Sequence, residues 1–126
     1  MSQIANSKPV TFIMTSDRAK SKTFYQDVLG LELDFEDGFA AVFNLCGASL
    51  RITEIKGFEA AKHTVLGWDV DDIVDTIKDI TARGVKMTIY EGFGQDGLGI
   101  WHSPDGKAKV AWFNDVDGNV LSLTAC

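Results

Sequence analysis

Few side chains in this chain could do chemistry at neutral pH. Its 126 residues include two histidines and two cysteines. His63 and His102 stand far apart, and no His-x-Glu or paired-carboxylate arrangement accompanies either. A metal centre of the nitrogen and oxygen type needs several converging ligands, so neither histidine marks one. Cys46 closes an apolar run and Cys126 is the last residue, a spacing that makes no disulfide framework or thiolate site. A buried core thiol and a frayed terminal thiol are expected. Ser122 and Thr53 have no base partner visible in the sequence, so nucleophilic catalysis is not expected of them. No catalytic residue is assigned.

What remains is recognition chemistry. The Arg51 guanidinium can hold an anion or a carbonyl by paired hydrogen bonds, or it pairs internally with Asp69 or another acid. Trp112 offers a stacking surface or ordinary core packing. Phe12 and Met14 supply apolar wall. Asn114 and Ser122 supply polar groups. Phe93, Trp101 and His102 ride on a Gly-rich stretch, where Gly92, Gly94, Gly97 and Gly99 suggest a mobile lid over the cavity. From such a lid His102 serves as acid or base, or it is simply an exposed loop histidine. The same stretch is no phosphate loop, because no Gly-Lys-Ser/Thr follows it.

The elements that must position these groups come in two similar sets. Residues 1–8 read as a loosely docked tail. Pro9 to Thr15 reads as a strand, and Ser16-Asp17 caps a helix from about Arg18 to Val28. Its buried stripe is expected at Ala19, Thr23/Phe24, Val28 and Leu29, and Gly30 ends it. Strands follow at Leu31 to Phe35, Phe39 to Leu45 and Ala48 to Ile55. Residues 56–62 read as a linker. The order then restarts with a strand at Thr64 to Val70. A helix capped by Asp71-Asp72 follows, with Ile73, Ile77 and Ile80 on one face, and Gly84 ends it. A strand at Val85 to Tyr90, the Gly-rich loop and a closing hairpin about Asp117-Gly118-Asn119 complete the set.

The repetition can be counted. Gly30 lies 13 positions after Asp17, and Gly84 lies 13 after Asp71. Residues Gly47 to Thr53 and Gly118 to Thr124 share the pattern G-x-x-L-x-[I/L]-T. The expectation is an α+β fold of two tandem βαβββ modules, at about 9–55 and 63–125, in one domain. They would form a curved mixed sheet around a concave cavity. Strand alternation then puts Val10, Phe12, Met14, Ser49, Arg51, Thr53, Val65, Gly67, Asp69, Val110, Trp112, Asn114, Val120, Ser122 and Thr124 on one face. Leu50, Ile52, Leu66, Trp68, Leu121 and Leu123 fall on the other, under the helices.

Composition narrows the partners. The net charge is −6 with no basic cluster, which argues against nucleic acid, since phosphate binding needs a Lys/Arg footprint. No stretch reaches membrane-spanning length and no leader pattern is visible, so a cytoplasmic setting is expected.

From Pro9 to Thr124 the chain resembles the vicinal oxygen chelate superfamily, which includes glyoxalase I, extradiol dioxygenases and bleomycin-resistance proteins. The resemblance is carried by Asp17, Phe24-Tyr25, Val28-Leu29-Gly30-Leu31, Val70-Asp71-Asp72-Ile73, Ala82-Arg83-Gly84-Val85 and Phe113-x-Asp115-x-Asp117-Gly118-Asn119. Val116 stands where the family usually has proline. Metal-dependent members carry His and Glu ligands at four strand positions, which fall here on Val10, Arg51, Val65 and Ser122. The resemblance therefore implies a member without metal or other cofactor. Bleomycin-resistance proteins are the functional precedent. They imply a homodimer that sequesters a small organic molecule, such as an antibiotic, with Arg51 disfavouring a strongly cationic ligand. The alternatives are a lyase, isomerase or other enzyme using His102, Asp69 or Arg51 on a small carbonyl or carboxylate substrate, and an interaction module with a vestigial cavity.

Overall fold

The computed structural model describes residues 3–126. The chain divides into two compact units, one ending at Glu59 and the other spanning Ala60–Cys126.

In the first unit a short 3₁₀ turn at Ile4–Asn6 precedes β1 (Val10–Thr15). Every residue of that turn is exposed, in keeping with a lightly held tail; residues 1 and 2 lie outside the described residues. Helix α1 (Arg18–Thr23) follows and continues as a π-helical turn over Phe24–Val28, closed by the Leu29 N–H donating to the Phe24 carbonyl at 3.0 Å. The sheet is completed by β2 (Leu33–Glu36), β3 (Ala41–Asn44) and β4 (Ser49–Glu54), in the order β1-β4-β3-β2. β1 and β4 run parallel and the other pairs antiparallel.

The second unit repeats this plan. Its elements are β5 (Thr64–Asp69), α2 (Ile73–Ala82), β6 (Trp101–His102), β7 (Lys109–Asn114) and β8 (Val120–Ala125), with sheet order β5-β8-β7-β6. Again the first and last strands pair in parallel and the rest antiparallel.

The helices start where the sequence places them. The Asp17 carboxylate accepts from the Lys20 N–H at 3.1 Å, and Asp72 accepts from the Asp75 N–H at 3.0 Å. Each such cap contributes about 1 kcal/mol by satisfying an end-of-helix donor. Gly30 and Gly84 both leave their helices at positive φ, +75° and +100°, where a side chain would be strained. Ile73, Ile77 and Ile80 are buried, as their spacing predicts. Ala111, Phe113, Leu121 and Leu123 of the same unit are buried as well, with Trp68 stacked on Phe113 at 6.5 Å. In the first unit Ile13, Leu50, Ile52, Phe43 and Tyr25 are buried, and the Tyr25 and Phe43 rings lie 6.3 Å apart. A fully buried side chain of this size contributes about 1.5–3 kcal/mol.

Four expectations are corrected. The buried residues of α1 and its π turn are Ser21 and Tyr25, while Ala19 and Thr23 are exposed. The helix is rotated on the sheet relative to the predicted stripe, so that Tyr25 meets Phe43. Second, Cys46 is exposed, not a core thiol. Leu45 and Ala48 exchange backbone hydrogen bonds at 2.8 and 3.3 Å around Cys46 and Gly47, which sit at φ +50° and +98°. This is the two-residue hairpin geometry that turns both central side chains outward. Third, Val85 to Tyr90 forms no strand. It bonds to β7 through Thr88, whose N–H donates to the Trp112 carbonyl at 2.8 Å. The neighbouring stretch of β7 is taken by β6, which the sequence reading had assigned to loop. Fourth, the Gly-rich stretch is extensively hydrogen-bonded, as described below. Among the described residues no helix is long and apolar enough to cross a membrane.

Candidate functional site

In each unit one sheet face carries most of the side chains that the sequence singles out as candidates for recognition. On the first unit's sheet Phe12, Arg51 and Val42 lie side by side in register, with Met14 and Thr53 one step along. Phe12 is exposed, Met14 and Arg51 half-buried. Arg51 is held by Asp37: its Nη2 lies 3.0 Å from Asp37 Oδ2. The acid is therefore not Asp69 but a residue of the β2–β3 turn. Asp37 is itself fixed, since its Oδ1 accepts the N–H groups of Phe39 and Ala40 at 2.8 Å each. Those two backbone donors, then Arg51, lower its pKa to about 2. The carboxylate stays ionised and balances the guanidinium, so Arg51 no longer argues against a cationic ligand. Guanidinium N–H groups beyond this one ion pair remain on a part-exposed side chain.

On the second unit's sheet, Gly67, Ser122 and Trp112 form one row across three strands. Asp69, Thr124, Val110 and Trp101 form the next. Asn114 pairs with Val120 in the row beyond Trp112 and accepts from the Thr88 hydroxyl at 3.0 Å. Ser122 is nearly buried, while Asp69 and Asn114 are exposed. Gly67 has ordinary extended backbone, but a Cβ there would collide with Ser122 Oγ. A larger residue at this position would oblige the Ser122 hydroxyl to rotate away.

His102 does not join this group. It pairs with Lys109, and alternation turns both to the face opposite Trp101. An orienting acid is present: His102 Nε2 lies 3.0 Å from Asp96 Oδ2. Asp96 Oδ1 accepts from Leu98 and Ile100 N–H groups at 2.9 and 3.0 Å. Burial pushes the Asp96 pKa up, but the His102 hydrogen bond and the two backbone donors outweigh it and leave it lowered. The pair is exposed. The Ser103 hydroxyl, next in sequence, donates to Asp105 at 2.6 Å.

Sequence reasoning places Phe93 on the lid but misses Tyr90 and the contact of both rings with Trp112. The rings of Tyr90 and Phe93 lie 5.4 and 5.9 Å from Trp112, nearly perpendicular to it, and 5.5 Å from each other. Assigning Val85 to Tyr90 to a strand hid this. The aromatic spacing Tyr90-x-x-Phe93 in a Gly-rich stretch was the available signal.

The four positions where metal-dependent relatives of such a fold place ligands hold Val10, Arg51, Val65 and Ser122. Val10 and Val65 offer no donor, and Val65 falls in a register shift between Thr64 and Leu66. Arg51 is a paired cation. Among the described residues no three His, Cys, Asp or Glu side chains converge. This donor set does not fit a divalent ion.

A family model described as the Glyoxalase/Bleomycin resistance protein/Dioxygenase superfamily matches residues 8–123. The chain is 30% identical over 115 residues to the metallothiol transferase FosB of Staphylococcus epidermidis, covering 86% of this chain and 75% of that protein. Among solved structures, a glyoxalase family protein from Enterococcus faecalis matches with a TM-score of 0.76 at 19% identity, over 97% of this chain and 99% of that one. The fosfomycin resistance protein FosX from Listeria monocytogenes matches with a TM-score of 0.73 at 17% identity, over 95% and 93% of the two chains.

Proposed function

From the premise that this chain belongs to the glyoxalase/bleomycin resistance/dioxygenase superfamily, we propose that it is a metal-independent protein that binds a small organic molecule on the candidate recognition faces of its sheets. The two modules act as one domain, with residues 56–62 as the linker. The observation that carries the reading is the donor set at the four ligand positions, which lacks any imidazole or carboxylate. Arg51, Phe12 and Met14 in the first unit, and Trp112, Trp101, Ser122, Asn114 and Asp69 in the second, are the contact groups. A homodimeric, cytoplasmic protein belongs to the same reading, and light scattering in solution tests the dimer.

Mass spectrometry of ligands released from the purified protein tests binding. The expected result is one organic species per site, recovered unchanged after incubation. Elemental analysis should find no stoichiometric nickel, zinc, iron or manganese after chelation. A retained stoichiometric metal would refute the metal-independent part, and the absence of any saturable organic ligand would refute the binding part.

The His102–Asp96 pair, on the face opposite Trp101, favours a second reading, in which the protein modifies a small molecule that reaches that face. A carboxylate fixed by two backbone donors orients the imidazole, as a general base requires. FosB is named a transferase, which makes group transfer to a small molecule the first reaction class to assay. Turnover abolished by His102→Ala and by Asp96→Asn would favour this reading over sequestration.

A further inference from the structure

Thr88, Tyr90 and Gly99 carry backbone groups that a regular strand would pair with a neighbouring strand. The side chain of Gln95 takes them instead. Its Oε1 accepts from the Tyr90 N–H at 2.7 Å. Its Nε2 donates to the carbonyls of Thr88 at 3.0 Å and Gly99 at 2.7 Å. The amide orientation follows from these partners, because the flipped form would set its oxygen against two carbonyls and its NH₂ against an N–H. The far end of the stretch is closed by Asp96, whose N–H donates to the Ile100 carbonyl at 2.9 Å. The four glycines therefore bend a bolted loop, not a free lid.

What the loop holds is aromatic. Tyr90 flanks the Gln95 bond, and Phe93 sits between it and Gln95. Both rings meet Trp112 edge to face, at interplanar angles of 79° and 77°. Phe93 is 51% exposed although it is fixed by these contacts. Beside Trp112 the row continues through Ser122 to Gly67, where no side chain rises. No Lys or Arg lies on the strand positions of this face, so an anionic headgroup finds no partner there.

We propose that Gln95 is a positioning residue that fixes Tyr90 and Phe93 as a wall beside Trp112, and that this wall, with the open row over Ser122 and Gly67, takes a planar, π-rich group of the ligand. This rests on the small-molecule-binding reading above and gives that ligand its chemical class. A flat ring meets aromatic walls with favourable stacked or edge-to-face geometry, whereas a puckered saturated ring of similar size gains only burial. Because the wall is built before the ligand arrives, little ordering is left for binding to offset.

The test uses the full chain and two probes, 2-naphthol and its saturated counterpart decahydro-2-naphthol, titrated by NMR. The naphthol should bind at least fivefold more tightly. Phe93→Ala, at an exposed position, should weaken naphthol binding at least fivefold and leave the saturated alcohol within twofold. Gln95→Glu sets a carboxylate against the Thr88 and Gly99 carbonyls. It should lower naphthol affinity to a similar degree and diminish the near-ultraviolet circular dichroism of the ring cluster, with unfolding still cooperative. Selectivity between the probes is the readout that a merely structural role would not move. Equal binding of both probes, equal loss of both in the variants, or no naphthol binding at millimolar concentration would overturn the proposal. If a non-aromatic ligand is recovered from the protein in that last case, the binding reading stands and only its aromatic class falls. If nothing is recovered, both fall.

Discussion

Replacing Asp115 by alanine should unfold the protein more readily than any surface change. Asp115 is 6% exposed, at the end of β7. Its Oδ1 accepts the N–H groups of Asp117 and Asn119, both at 2.9 Å. Its Oδ2 accepts the side-chain NH₂ of Asn119 at 2.8 Å. Backbone bonds from Asp115 N–H to Asn119, at 3.0 Å, and from Gly118 N–H to Asp115, at 3.1 Å, close the same turn. Truncation removes the carboxylate acceptor from three donors. Asp117 is half-buried, so water can serve its N–H, but Asn119 is 2% exposed and keeps two donors in the interior. A buried unpaired donor costs about 1–3 kcal/mol, and the two share one site, so their costs do not simply add. We expect Asp115→Ala to cost about 3–4 kcal/mol, which for a chain of this size lowers Tm by roughly 10–15 °C. Asp115→Asn keeps one acceptor oxygen but turns its NH₂ toward donors, and should lose about half as much. Urea and thermal denaturation followed by circular dichroism measure both. A loss below about 1 kcal/mol for Asp115→Ala would show that the hairpin is held by its strands alone and refute the reasoning.

Three further outcomes follow from the same kind of observation. Val116 occupies the second position of the turn closed by the Gly118–Asp115 bond and is exposed; Val116→Pro should stabilise by about 0.4–1 kcal/mol through the unfolded chain, read as a higher urea midpoint. The Ser21 hydroxyl is buried without a hydrogen-bond partner, so Ser21→Ala should raise stability by about 1 kcal/mol, and a loss in the same measurement would show that the hydroxyl is satisfied. Asp37, with its pKa lowered to about 2, binds fewer protons folded than unfolded between that value and its ordinary 3.8. Stability from this group is therefore complete above pH 3.8 and lost as pH falls toward 2. Asp37→Asn should flatten that acid limb of the stability curve, and an NMR midpoint for Asp37 at or above 3.8 would contradict the geometry.

Much of the scaffold was legible because it rests on local chemistry. Asp17 and Asp72 cap, Gly30 and Gly84 stop, and Ile73, Ile77 and Ile80 face inward, all from short-range rules. The alternation of Leu50, Arg51 and Ile52, or of Trp112 and Phe113, sorted the two sheet faces correctly. One failure came where a side chain replaced a backbone partner. Val85 to Tyr90 has the residue types of a strand, but Gln95 satisfies the polar groups that a ladder would have used. No propensity scale contains a glutamine five residues ahead that competes for the Tyr90 N–H. The partners of Arg51 and His102 were hidden for a related reason. Asp37 and Asp96 lie in turns whose backbone donors fix them, and turn conformation, not spacing, brings each to its base.

The two units keep the same strand order and the same parallel closing pair, yet their candidate recognition faces differ in kind. The position that holds Arg51 in one repeat holds Ser122 in the other. On β4 the guanidinium is braced by a turn acid and keeps donors for a polar group. On β8 the hydroxyl lies next to a glycine and a tryptophan, with two more rings held over that tryptophan. The first face suits a hydrogen-bonding group and the second a flat apolar one. The two preferences can be separated experimentally. If Arg51→Met weakens ligands that carry a carbonyl or carboxylate but spares naphthol, while Phe93→Ala does the reverse, the duplication has divided recognition between its halves. Loss of all ligands in both variants would instead mean that the two faces do not act as separate sites.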